Sequence, residues 1–333
     1  MIIASAANEK YFIGLYVSLI SMARALPQDK RVRFHVVDGG LKKNSIHRLE
    51  KDLSHLLPKM TLVLDEINAS LFEGFPDMSG DRLTYARLLL PDIIPEDRVI
   101  YLDADLLCNK NFETLWEIDL KESPIAAAQD QSIRFLKNDM PPNSLGVNPE
   151  TPYFNPGIAL LDLDRWRREG LSKDVMKYIQ SHAEYCKYWD QSALNAVFQG
   201  DCSWLEDSWN VPSFVLDQKP DMRLGSLNIH YLSWRKPWLY YGCEFSSQLY
   251  YVFLKKFAID VMDAPWRKMR FLCKHAGVLS FLFTALSKCS SNPKWIDQKK
   301  NWISIQHTQK KCPSNRINEW ECFLNKTLQN YLK

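Results

Sequence analysis

The chain has 333 residues, 46% of them apolar and 24% charged, with a net charge of +3. That balance excludes a disordered chain, a collagen-like repeat and a small disulfide scaffold, and the net charge is too small to imply a nucleic-acid partner. The charge is uneven, because residues 251–333 hold fifteen Lys and Arg against five Asp and Glu, a net of +10, leaving −7 for residues 1–250.

In chain order, Ile2-Ile3-Ala4 predicts a buried strand and residues 11–26 a helix stopped by Pro27. A second strand is expected over 32–37, followed by the turn Asp38-Gly39-Gly40. Residues 42–56 read as an amphipathic helix with Ile46, Leu49, Leu53 and Leu56 near one face, and 60–64 as a third strand. This alternation predicts an α/β fold with a largely parallel sheet. A helix over 81–90 and strands over 99–102, 125–128 and 157–163 follow, with a helix over 189–198. No Gly-x-Gly-x-x-Gly follows the first strand, which argues against a dinucleotide site. Near Tyr250 the composition turns basic and aromatic, so the expected division is a main domain over 1–250 and an extension over 251–333.

Eight cysteines without a Cys-x-x-Cys pair predict reduced thiols in a cytoplasmic protein. No basic segment precedes the first apolar stretch, as a secretory signal would require. The apolar stretch over 278–286 is far shorter than the ~20 residues of a membrane span.

The strongest chemical signal is Val99-Ile100-Tyr101-Leu102-Asp103-Ala104-Asp105. An apolar strand ends in two carboxylates, and in open α/β sheets ligands bind outside the carboxyl ends of strands. Two such groups can converge on a hard divalent cation whose shell phosphate oxygens complete.

Other segments join this one: Ala6-Ala7-Asn8-Glu9-Lys10-Tyr11, Phe34-His35-Val36-Val37-Asp38, Thr84-Tyr85-Ala86-Arg87, Tyr153-Phe154-Asn155-Pro156-Gly157, Trp189-Asp190-Gln191, and the run from His230 through Ser233 and Lys236 to Trp238. In this order the chain resembles family 8 glycosyltransferases over about residues 1–240. Within that family it is most similar to bacterial enzymes that add galactose or glucose to lipopolysaccharide and lipooligosaccharide.

The resemblance implies a GT-A fold: one Rossmann-like nucleotide-sugar domain with a mixed central sheet, here followed by a basic, helical C-terminal extension. It also implies transfer of a hexose from a UDP-sugar, with retention at the anomeric carbon, to a glycan or glycolipid. Asp103, Asp105 and His230 match the family's Mn²⁺ (or Mg²⁺) ligands, with Ala104 beside them. Ala6, Asn8 and Tyr11 match the turn that holds uracil and ribose. Lys236 would meet the diphosphate and Arg87 the donor sugar or phosphate. Asn155, Asp190 and Gln191 would line the sugar pocket, and Asp130 matches a position near both sugars. Asp130, Asp190 and Gln191 are therefore the candidate catalytic residues. Ser233 stands where relatives carry a phosphate-facing glycine. The alternatives are a self-glucosylating, glycogenin-like enzyme and a non-catalytic sugar-nucleotide-binding protein.

In the extension, Arg267, Lys268, Arg270 and Lys274 precede the apolar stretch over 278–286, and Trp266, Trp295, Trp302 and Trp320 are spread through it. This composition predicts peripheral attachment to an anionic membrane surface, on the cytoplasmic face, and no nucleic-acid partner.

Overall fold

The computed structural model describes residues 1–77, 81–134, 148–232, 236–238 and 244–257. The extension beyond residue 257 and Ser233 lie outside the described residues, and with them the expected membrane-binding segment.

Strand β1 (Ile2–Ala7) leads through a single 3₁₀ turn into helix α1 (Phe12–Arg24). The helix ends ahead of Pro27, which cannot donate a helical hydrogen bond. Almost every side chain of α1 is buried, so it is covered on all sides rather than amphipathic. Strand β2 (Arg33–Asp38), helix α2 (Lys43–Leu56) and strand β3 (Thr61–Asp65) follow. Helix α2 buries Leu49 and Leu53 and half-buries Ile46 and Leu56, the face its spacing predicts.

The expected helix over 81–90 is instead a 3₁₀ segment, Leu83–Leu89, running into the short helix α3 (Leu90–Ile93). Pro91 has no N–H for the Arg87 carbonyl, which accepts from Leu90 N–H instead, so the turn tightens. The chain continues through strand β4 (Arg98–Leu102), strand β5 (Leu106–Leu107), helix α4 (Phe112–Trp116) and strands β6 (Ile125–Gln129) and β7 (Phe154–Asp162). Asp162 then caps helix α5 (Leu163–Glu169), and Gly170, at φ +69°, breaks it from α6 (Leu171–Ser181). Helix α7 (Trp189–Phe198) and strand β8 (Ser203–Leu205) come next. The last described elements are strand β9 (Val211–Pro212), helix α8 (Ser213–Gln218), strand β10 (Ile229–His230) and helix α9 (Phe245–Phe257).

The main sheet has the order β3-β2-β1-β4-β7-β6-β8. Strands β3, β2, β1 and β4 are parallel, β7 is antiparallel to both β4 and β6, and β8 is parallel to β6. The sheet is therefore mixed, as the resemblance implies. A second sheet has the order β5-β10-β9.

Two features of β7 prepare the site. It begins three residues before the expected strand at 157, with Pro156 inside it. Its register with β6 shifts between Ala127, opposite Ala159, and Ala128, opposite Asn155. Proline lacks the ladder donor, so a strand carries it where pairing is interrupted, and a bulge there re-aims the neighbouring groups.

The described residues fall into two compact units, Met1–Val211 with Ser226–His230, and Pro212–Gly225 with the chain from Tyr231. In the second, Asp217 accepts from the Ser246 N–H at 2.8 Å and its hydroxyl at 3.0 Å, tying α8 to the start of α9. Tyr231 donates its hydroxyl to the Ser246 carbonyl and meets the Tyr250 ring edge-on. The expected boundary near Tyr250 lies inside α9. Among the described residues no helix is long and apolar enough to cross a membrane.

Candidate active site

The centre of the site lies where β4 ends. Antiparallel pairing sets Leu102 opposite Ile158, and the next N–H, of Asp103, donates to the Gly157 carbonyl at 2.8 Å. The Asp103 carboxylate is thus fixed just past the strand. Asp105 precedes β5, whose Leu106 pairs with His230 of β10. This pairing delivers a histidine to the two aspartates from more than a hundred residues away.

His230 Nε2 lies 2.9 Å from Asp105 Oδ1 and 3.5 Å from Asp103 Oδ2. The three donor atoms all lie within 4.8 Å of one another. The imidazole is 1% exposed, whereas the Asp103 and Asp105 side chains are 25% and 12% exposed, so the carboxylates open the cluster to solvent. Gly157 is essential to the packing: a Cβ there would come within 2.2 Å of His230 Cε1 and 2.7 Å of Asp103 Oδ2.

This donor set fits a divalent ion. Carboxylates suit Mg²⁺ and Mn²⁺, and an imidazole nitrogen is acceptable to Mn²⁺. The 2.9 Å separation of Nε2 and Oδ1 also matches that of adjacent ligands around an octahedral ion with bonds of ~2.1 Å, about 3 Å.

Behind the carboxylates sits Arg87, buried, from the 3₁₀ segment Leu83–Leu89. Nη2 donates to Asp103 Oδ1 at 2.8 Å, Nη1 donates to the Pro156 carbonyl at 2.8 Å, and Nε lies 2.6 Å from Asp190 Oδ2. Its guanidinium carbon is 4.3 Å from the centre of the Tyr101 ring. Burial opposes the charge, but Asp190 and Asp103 outweigh it and hold Arg87 protonated, above its already high ordinary pKa. Burial pushes the Asp190 carboxyl up, with Arg87 and the Thr84 hydroxyl opposing. Thr84 Oγ1 donates to Asp190 Oδ1 at 2.7 Å.

Asp190 and Gln191 open α7. The residue before them, Trp189, has φ +52°, a left-handed conformation that costs a tryptophan roughly 1–2 kcal/mol. That turn sends the Asp190 carboxylate to Arg87 and the Gln191 amide to Asp130 Oδ2, to which Nε2 donates at 2.9 Å. Asp130 Oδ1 accepts from the Ser132 N–H and hydroxyl and from the Ile133 N–H. Burial raises the Asp130 pKa, yet the hydrogen bonds from Ser132, Asn155 and Gln191 prevail and hold it below its ordinary value.

The structure therefore joins Asp103, Asp105, His230, Arg87, Asp190, Gln191, Asp130 and Asn155 in one contact network. Three of the five Arg87 N–H donors face protein acceptors: Asp103, the Pro156 carbonyl and Asp190. Ala104 is buried between the aspartates. Ala6 lies in the last residues of β1, and Asn8 and Tyr11 in the turn that follows it: Asn8 Oδ1 accepts from Tyr11 N–H at 3.1 Å, and its amide donates to Asp81 Oδ2 at 2.5 Å. Lys236 belongs to the second unit, where Nζ donates to the Tyr231 carbonyl at 2.6 Å.

Sequence reasoning missed Asn210 and gave Gly157 no role. Asn210 Oδ1 faces His230 Nδ1 at 2.8 Å. Asn228, fully buried, accepts from the Asn109 and Lys110 N–H groups and donates to the Trp209 carbonyl, holding the Asn210 segment near β10. An amide that bridges distant segments leaves no periodic trace in sequence.

The profile described as Glycosyl transferase family 8 matches residues 2–242. General stress protein A of Bacillus subtilis (strain 168) is 26% identical over 256 residues, covering 72% of this chain and 87% of that protein. Lipopolysaccharide 1,3-galactosyltransferase of Salmonella typhimurium (strain LT2) is 24% identical over 276 residues, covering 79% of this chain and 78% of that one. Several other relatives are longer proteins, of which the chain spans 63% or less. Among solved structures, the galactosyltransferase LgtC in complex with donor and acceptor sugar analogues superposes with a TM-score of 0.66 at 25% identity, covering 80% of this chain and 99% of that one. The fold is the GT-A fold.

Removing one member of a buried ion pair leaves the other charge uncompensated. Arg87→Leu, which strands Asp190, is expected to cost about 3–5 kcal/mol of stability in denaturant unfolding. Adding Asp190→Leu should recover part of that loss. A single variant as stable as the wild type would contradict the buried ion pair.

Proposed function

The chain belongs to glycosyl transferase family 8, and from that premise we propose that it moves a hexose, glucose or galactose, from a UDP-sugar to a glycan or glycolipid acceptor with retention at the anomeric carbon. The observation that carries this reading is the convergence of Asp103, Asp105 and His230 at the end of a central strand. The galactosyltransferases among its relatives and structural neighbours support a hexose donor. We read residues 1–250 as the catalytic domain and 251–333 as an extension.

In this reading Asp103, Asp105 and His230 hold Mn²⁺ or Mg²⁺. The bound ion supplies positive charge against the diphosphate of the leaving UDP. Arg87 fixes Asp103 from behind, so that Asp103 is oriented before any ion arrives. Ala6, Asn8 and Tyr11 hold the uridine, and Lys236, with the neighbouring Ser233, meets the diphosphate. Asn155, Asp190, Gln191 and Asp130 line the sugar end.

Neither group at the start of α7 is a ready nucleophile. Asp190 is 2% exposed, with one oxygen on Thr84 and the other on Arg87, and Gln191 carries no charge. The reaction that fits is attack by an acceptor hydroxyl on the face from which UDP departs. The bond from the anomeric carbon to the UDP oxygen breaks, the bond to the acceptor oxygen forms, and the acceptor's proton passes to the departing phosphate. The protein then acts by position and charge.

The basic extension adds a surface term. Its net charge of +10 attracts anionic lipid at about 1 kcal/mol per basic residue near the surface. In this reading the enzyme works at the cytoplasmic face of a membrane, extending a glycan such as lipopolysaccharide.

The test of the reaction is UDP release from a panel of UDP-, GDP- and dTDP-sugars with Mn²⁺ and no acceptor. Release is expected from UDP-glucose or UDP-galactose, stopped by EDTA and restored by Mn²⁺. Asp103→Ala, Asp105→Ala and His230→Ala should each abolish it. Turnover that survives full chelation, or a preference for GDP- or dTDP-sugars, would overturn the assignment. The membrane term has its own test, co-sedimentation of the full chain with phosphatidylserine-containing vesicles. Binding at low salt and partial release at high salt are expected. No binding at low salt would remove that part of the proposal.

A further inference from the structure

The hydrogen bonds behind His230 have a determinate direction. The Gly157 backbone N–H, which can only donate, donates to Asn155 Oδ1 at 3.0 Å. The other end of the Asn155 amide, Nδ2, donates to the Asp130 carboxylate, which sits below its ordinary pKa and accepts at 3.0 Å. Asn155 therefore has one orientation. It presents Oδ1 and its own backbone carbonyl to Asn210, at 2.9 Å and 3.2 Å. Both are acceptors, so the Asn210 group that faces them is the NH₂. The opposite atom of that amide, Oδ1, faces His230 Nδ1 at 2.8 Å. An oxygen with no proton can only accept, so Nδ1 carries the hydrogen. Turning the Asn210 amide over would set its oxygen against two other oxygens and lose both bonds to Asn155.

We propose that Asn210 is a positioning residue that fixes His230 with its proton on Nδ1, so that the Nε2 lone pair faces Asp103 and Asp105. The inference rests on the reading of His230 as a metal ligand and adds what makes it one. With Nδ1 protonated, Nε2 and Asp105 Oδ1 can face each other 2.9 Å apart as two electron-pair donors, an arrangement a cation resolves. The same polar chain links both ends of the site. Gln191 and Asn155 meet on Asp130 Oδ2, Asn155 meets Asn210, and Asn210 meets His230. His230 and Asn210 are 1% and 3% exposed, so water does not compete for these bonds.

Two measurements test this, neither of them activity. The first is a long-range ¹H–¹⁵N correlation spectrum of the imidazole rings in the full chain loaded with Mg²⁺, with His230 assigned by its loss in His230→Gln. The expected spectrum has a protonated Nδ1 and an unprotonated Nε2. A protonated Nε2 with a bare Nδ1 would overturn the proposal.

The second is Mn²⁺ affinity in the presence of UDP, read by electron paramagnetic resonance. Asn210→Ala should weaken it by roughly 10- to 100-fold. Asn210→Asp keeps an acceptor for Nδ1–H while losing the donor to Asn155, and should stay within about threefold of the wild type even if its melting temperature falls. Equal losses in the two variants, or no loss in Asn210→Ala, would reduce Asn210 to packing. If Asn210→Ala does not fold, the wild-type spectrum and Asn210→Asp still decide. The underlying reading fails separately: His230→Gln would then bind Mn²⁺ as tightly as the wild type.

Discussion

The site depends on one hydrogen bond, from the Asp103 N–H to the Gly157 carbonyl. It carries the pairing of β4 with β7 one residue beyond the strand. It thereby fixes the place where an acidic loop meets a bulged strand. The contacts of Arg87 and Asn155 follow from that junction. The bulge at Asn155-Pro156-Gly157 turns the Pro156 carbonyl to Arg87 and the Asn155 amide to Asp130. The missing side chain of Gly157 leaves the room His230 occupies. A residue with any Cβ at that position would displace a proposed ligand, so geometry rather than backbone freedom explains the glycine.

Around this junction the protein has assembled costly groups. Arg87 and Asp190 are buried charges, and burying charge is unfavourable until it is paired and hydrogen-bonded. Trp189 adds a left-handed backbone at the start of α7. A buried ion pair is in general weak evidence for stability, because well-packed apolar groups can often replace one at little cost. Its presence at the end of the central strands is better explained by orientation, since Arg87 holds Asp103 on one side and Asp190 on the other. The polar chain through Asp130, Asn155 and Asn210 does the same for His230. Preorganised groups need not reorganise when charge develops, which is what the proposed attack on the departing face of UDP asks of them.

Much of this was legible in the sequence, for physical reasons. β1, α1, β2, α2 and β3 announce themselves by local periodicity and by turn residues, and α7 occupies the span its apolar spacing predicts. The Asp-x-Asp after an apolar strand also marks the strand end where Asp103, Asp105 and His230 converge. Three features were not legible. The segment Leu83–Leu89 is 3₁₀ because Pro91 removes a donor, a consequence that periodicity does not register. β7 begins at Phe154 because a bulge accommodates Pro156, whereas a proline in sequence reads as a strand boundary. Asn210 acts through side-chain contacts with Asn155 and His230, 55 and 20 residues away, and no local pattern encodes them.

Asp103, Asp105 and His230 are proposed here as a metal centre for a nucleotide-sugar. The most direct measurement is anomalous scattering from crystals of the full chain grown with Mn²⁺ and UDP. A manganese peak is expected in contact with all three side chains and with the UDP diphosphate. A manganese ion bound elsewhere, or UDP held with no ion among these residues, would contradict it.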